Sequence, residues 1–156
     1  MDSCAKAVND NFFDNNPYLK MANAGYSGTP LLKKLGIQPG SKLMLVSAPD
    51  HYSALVDADI SKQLVKGKEV PDIIHLFVVK NNDFEKQMKK IISFTKQNPA
   101  LAIWVSWYKK SAKKETDITE DVIRSFALKN DLVDIKVCAV SEEWSGLKLV
   151  VPVKKR

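Results

Sequence analysis

Cysteine is nearly absent from this chain. Cys4 and Cys138 stand far apart and form no CxxC pair, so neither a disulfide framework nor a zinc site with closely spaced ligands is expected. Cys138 falls in an apolar run and reads as a small buried hydrophobe. No apolar stretch reaches the roughly 18–20 residues of a membrane span. The start, Met1-Asp2-Ser3-Cys4, lacks the basic and apolar regions of a signal peptide. The expectation is a cytosolic protein with no membrane contact. Arginine is scarce too: only Arg124 and Arg156 stand among 24 basic residues. Arginine is the usual reader of bases and phosphates, so the net charge of +6 indicates a lysine-rich surface more than a nucleic-acid reader.

What is present is ordinary globular material. The 156 residues, 45% apolar and 27% charged, suit one domain able to bury a core without metal or disulfide support. Charge is unevenly spread. Residues 80–114 carry nine lysines against Asp83 and Glu85, and residues 115–143 carry eight acids against Arg124, Lys129 and Lys136.

Residues 1–24 are rich in Asn and Asp, contain Pro17 and show no sustained period. They read as a loose extension, with a helical turn conceivable at Phe12 and Phe13, ahead of a single α/β domain at 25–156. Thr29 and Pro30 suit the start of a short helix, with Leu31, Leu32 and Leu35 as its apolar face and Gly36 as its left-handed end. Lys42–Ala48 reads as the first buried strand, followed by a helical turn over His51–Val56. Asp72–Val79 is a second strand, apolar enough to be covered on both faces.

Asp83 opens an amphipathic helix with Phe84, Met88, Ile91, Ile92 and Thr95 on one side. Leu101–Trp107 is the third strand, and 108–118 a basic loop. Thr119 caps a last helix, with Val122, Ile123, Phe126, Ala127 and Leu128 inward. Val133–Val140 and Leu147–Val153 are strands joined by the short link Ser141–Gly146, which predicts an antiparallel hairpin. The alternation of strands and helices predicts right-handed crossovers and a doubly wound sheet.

From Gly25 onward the chain resembles a bacterial domain-of-unknown-function family of small proteins. The blocks are Gly-Tyr-Ser-Gly-Thr-Pro-Leu at 25–31, Ala48-Pro49 with Tyr52, and Asp-Ile-Ile-His-Leu-Phe-Val at 72–78. They continue with Trp-Val-Ser-Trp at 104–107, Lys109 and Lys110, Thr-Glu-Asp-Val-Ile-Arg at 119–124 and Trp-Ser-Gly-Leu-Lys-Leu-Val at 144–150. This resemblance implies no activity. The element order also resembles a shortened class I methyltransferase fold. That second likeness implies a Rossmann-like α/β sandwich of about five strands, mostly parallel, with a C-terminal antiparallel hairpin. Fold alone does not bring chemistry with it.

A methyltransferase or dinucleotide enzyme needs glycines directly after the first strand, so that backbone can approach the cofactor. Here that turn is Ser47-Ala48-Pro49-Asp50-His51-Tyr52, there is no glycine from Ser41 to Lys66, and Pro49 removes an amide donor. No second strand ends in an acid that could hold a ribose. Neither S-adenosylmethionine nor a dinucleotide is therefore expected, and no other cofactor or metal.

His75, inside a strand, reads as a hydrogen-bonded structural residue. His51 lies at the strand edge where open α/β sheets bind ligands. A Ser47–His51–Asp50 set lacks both the spacing and the Gly-x-Ser-x-Gly elbow of a hydrolase. Trp104 and Trp107 point to opposite faces of one strand. Trp107 with Tyr108, Lys109 and Lys110 could stack a ring and meet a phosphate, or simply plug the strand end. Trp144 reads as hairpin packing.

The expected ligand edge comprises Tyr26, Ser47, Pro49, His51, Tyr52, Trp107, Lys109 and Lys110. The leading expectation is a non-catalytic module that holds a small anionic ligand or a protein partner there. One alternative is an enzyme of methyltransferase descent with His51 or Asp50 as acid or base. A weaker one is nucleic-acid contact through Lys109, Lys110, Lys113 and Lys114.

Overall fold

The computed structural model describes residues 29–66 and 68–156. The expected extension at 1–24 and the Gly25–Gly28 loop with Tyr26 lie outside these residues. Among the described residues, five strands form one sheet in the order β1-β2-β3-β5-β4: β1 is Leu43–Val46, β2 Ile73–Phe77, β3 Ala102–Tyr108, β4 Val133–Ala139 and β5 Trp144–Val150. β1, β2 and β3 pair in parallel, and β5 pairs antiparallel with both β3 and β4. The expected hairpin is there, and β5 alone runs against the other four strands. β2 is buried at every position, as its apolar sequence and place between β1 and β3 require.

Helices cover both faces of the sheet: α1 Leu31–Lys34, α2 Tyr52–Val56, α3 Asn81–Ile92 and α4 Glu120–Lys129. Leu35, Tyr52, Val56, Phe77 and Trp104 share the apolar cluster on the α1/α2 face. Phe84, Met88, Ile91, Trp107, Ile123 and Ala127 belong to the cluster on the α3/α4 face. The period-two alternation of β3 sends Trp104 to one cluster and Trp107 to the other, as the sequence predicts.

Several boundaries differ from the sequence expectations, each for a physical reason. α1 is capped by Pro30 rather than begun by it, although Gly36 does end it at φ +79°. α3 starts two residues before Asp83 because Asp117 Oδ1 accepts the Asn81 N–H at 2.6 Å. Leu128 points outward, 60% exposed, since Ile123 and Ala127 at an i, i+4 spacing already define the inward stripe of α4. β5 begins at Trp144, three residues before Leu147. Ser141 Oγ accepts the N–H groups of Glu143 (3.1 Å) and Trp144 (3.2 Å), which closes the turn early and brings Trp144 O onto Val140 N–H at 2.9 Å.

The two borders of the sheet are built differently. Leu43 pairs with Ile73 of β2 and, across its other edge, bridges in parallel to Leu64, with Val65 N–H donating to Leu43 O at 2.9 Å. The chain leaving β1 therefore returns on one flank of that strand and enters β2 on the other. At the opposite border, β4 carries a bulge between Asp134 and Lys136. Arg124 of α4 there binds Asp134 at 3.1 Å, along with Glu120 and Asp121 of its own helix. No helix among the described residues is long and apolar enough to cross a membrane.

Candidate ligand-binding cleft

A cleft of about 490 Å³ opens at the carboxyl ends of β1, β2 and β3. Ser47 and Pro49 of the turn after β1 line it, with Phe77, Val78 and Val79 at the end of β2, Asp83 and Gln87 of α3, Tyr108 at the end of β3 and Trp144 at the start of β5. It lies where the connections on the two flanks of β1 diverge, which is where open α/β sheets take their ligands. A second hollow of about 590 Å³ lies between α3 and α4. Asn81, Glu85, Lys89, Asp121, Phe126 and Lys129 are among its lining residues, and none of its lining belongs to a strand.

The cleft owes its shape to rings. Trp144 stacks on Tyr108 with centroids 4.1 Å apart and meets Phe77 edge-on at 5.0 Å. Phe77 in turn stacks on His75 at 4.3 Å. Offset and edge-to-face pairs of this kind contribute about 0.5–1.5 kcal/mol each beyond burial, so the aromatic side of the cleft is rigid. Lys114 lies over Tyr108 at 5.5 Å from the ring centroid and pairs with Glu143 at 3.2 Å. Ser47 takes the left-handed conformation at φ 57°, a strained state for a residue with a Cβ. The amide of Tyr52 is engaged by Pro49 O at 3.0 Å.

Below the rings runs a buried polar chain. Tyr52 Oη lies 2.9 Å from His75 Nδ1, and His75 Nε2 lies 2.6 Å from Ser106 Oγ. His75 and Ser106 are 0% exposed. Burial pushes the His75 pKa down to about 3 and that of the Tyr52 phenol up beyond its ordinary range, so both are neutral near pH 7. The Ser–His contact has the length expected of a nucleophile and its base, but no substrate reaches atoms sealed inside the sheet. This chain instead fastens α2 to β2 and β3 directly beneath the cleft.

The residues of the expected ligand edge are distributed unevenly. Ser47 and Pro49 line the cleft, and Tyr26 lies outside the described residues. His51 is exposed beyond the turn, and no hydrogen bond joins it to Ser47 or Asp50. Tyr52 is buried beneath the cleft. Trp107, 8% exposed, packs in the α3/α4 cluster. Lys109 is half-buried and Lys110 exposed, and neither lines the cleft. The ammonium of Lys109 is held below its usual pKa by burial and by Lys34. Phe77 and Trp144 were not among the expected site residues, and Tyr108 was expected only within the ring-stacking cluster around Trp107. Parity offered a signal: Tyr108, not Trp107, shares a strand face with Trp104.

No family model matches the sequence, and no curated protein does. Solved structures do match. A protein of the NADB-Rossmann superfamily from Streptococcus agalactiae aligns with TM-score 0.52 and 10% identity over 79% of this chain and 68% of its own. The fold is Rossmann-like. A SAM-dependent methyltransferase from Aquifex aeolicus also aligns, with TM-score 0.47 and 11% identity over 90% of this chain and 96% of its own.

Proposed function

We propose that this Rossmann-like domain is a small-ligand-binding module whose ligand sits in the cleft above Pro49 and Trp144. The observation that carries this reading is the cleft's position at the divergence of the β1 connections, with three rings on one side and Ser47, Asp83 and Gln87 as its polar groups. Ligand sites generally combine an apolar wall with a few oriented polar groups in just this proportion. The left-handed Ser47 at its rim is the kind of strain that tends to collect at such sites. Among the described residues no hydrogen-bonded acid–base pair faces the cleft, so binding without catalysis is the simpler reading.

NMR tests it directly on the 17.5 kDa chain. Fragment mixtures of small ring compounds should shift the amide signals of Val78, Val79, Asp83 and Tyr108 together. Shifts gathered elsewhere, for instance between α3 and α4, would move the site and end the proposal.

A second reading is an enzyme of methyltransferase descent, favoured by the single reversed strand β5 between β3 and β4. A ligand bound only by the folded state raises the melting point at saturation. Unchanged melting with S-adenosylmethionine at millimolar concentration would remove this reading.

A further inference from the structure

Resting on that ligand-site reading, we infer that the cleft takes a planar nitrogen heterocycle carrying positive charge, not the anion that a lysine-rich sequence suggests. Among the described residues, Asp83 is the only charged one lining it. Of the lysines at this end of the sheet, Lys114 is engaged by Glu143 and the Tyr108 ring, and Lys80, Lys109 and Lys110 lie outside the lining.

An anion would thus meet a carboxylate and three aromatic rings with no described lining cation to offset them. A cationic ring meets the reverse. Aromatic faces carry negative charge density and attract cations within about 6 Å, and Lys114 already uses the Tyr108 ring in this way. Phe77 and Trp144 are only 3% and 7% exposed, so a flat heterocycle meets chiefly the half-buried Tyr108, while Asp83 and the Gln87 amide oxygen offer acceptors from the facing helix.

One feature pulls the other way. The first turn of α3 presents the positive end of the helix dipole, which favours anions. Two carboxylates already answer it: Asp83 sits in that first turn, and Asp117 accepts the Asn81 N–H at 2.6 Å. The Phe84 N–H is bound to Lys80 O at 3.0 Å. Among the described residues Asp83 stays the one charged side chain in the lining.

The test keeps a 3-substituted six-membered nitrogen ring and varies its net charge. Nicotinate, nicotinamide and 1-methylnicotinamide are titrated against the full chain, following the amide signals of Val78, Val79 and Tyr108. The expected order of affinity is 1-methylnicotinamide, then nicotinamide, then nicotinate, with about five-fold between cation and neutral ring. Asp83→Asn, an exposed change that leaves the core intact, should shrink that ratio toward unity. Gln87→Glu should widen it.

Tighter binding of nicotinate, or a ratio indifferent to Asp83→Asn, overturns the charge assignment while leaving a ligand site in place. If none of the three disturbs the cleft signals at roughly 10 mM, the limit of very weak binding, the site itself is wrong and this inference falls with it.

Discussion

Acidification offers a sharp test of the buried Tyr52–His75–Ser106 chain. His75 is sealed in the sheet, and burial lowers its pKa to about 3. In the unfolded chain an imidazole titrates near 6.5. Between these values the unfolded state binds a proton that the folded state refuses, so stability rises with pH across this window and is lost as pH falls through it.

The slope is about 1.4 kcal/mol per pH unit, or roughly 5 kcal/mol in all by pH 3. Carboxylates such as Glu69, held below its usual pKa first by the Lys66 N–H, begin to matter only toward the acid end. The interval from about pH 6.5 to 5 therefore isolates the histidine, and about 2 kcal/mol should disappear there. For a chain of this size that is a fall in Tm of roughly 4–8 °C. Calorimetry at closely spaced pH values reads it, with His75→Gln as the variant and His51→Gln, at the exposed second histidine, as the control. His75→Gln should flatten the curve whatever its stability at neutral pH, and His51→Gln should leave the slope in place. A flat wild-type curve, or an equal slope in His75→Gln, would refute a buried neutral imidazole.

Two further outcomes concern the same region. Tyr52→Phe leaves His75 Nδ1 unpartnered in the core and should cost about 1–3 kcal/mol in urea unfolding; a cost under about 0.5 kcal/mol would mean that the hydroxyl holds nothing. Gly146→Ala would place a methyl 3.0 Å from Val140 Cγ2 and 3.3 Å from Trp104 Cε3, so overpacking of about 1–3 kcal/mol is expected, and an unchanged unfolding midpoint would show that Val140 gives way freely.

The sheet was legible in the sequence because its information is local. Runs such as Ile73–Phe77 and the i, i+4 spacing of Phe84 with Met88 identify a strand and a helix without reference to anything distant. The misplaced boundaries depend on partners far along the chain. Nothing near Asn81 announces that Asp117 will cap it, and only the closed Ser141 turn draws Trp144 into β5.

The candidate cleft was half legible for a related reason. Ser47 and Pro49 follow from strand order, since they end the first strand. Phe77, Tyr108 and Trp144 meet only through the β3/β5 register that sets Tyr108 opposite Trp144. Trp107 drew attention through its size, although its parity sends it to the other face. The lysines at 109–114 suggested an anion, yet the positions lining the cleft give them no share in it.

The borders of the sheet also decide how this protein behaves in company. A bare, flat outer strand invites a neighbouring molecule to zip alongside, the first step toward fibrous aggregates. Here Leu64 bridges Leu43 at the start of one margin, and at the other the kink around Ile135, with Lys136 next to it, disrupts the run of hydrogen-bonding groups that an incoming strand would have to match. Both interruptions work against strand pairing at these margins, even though Ile135 itself is more than half exposed.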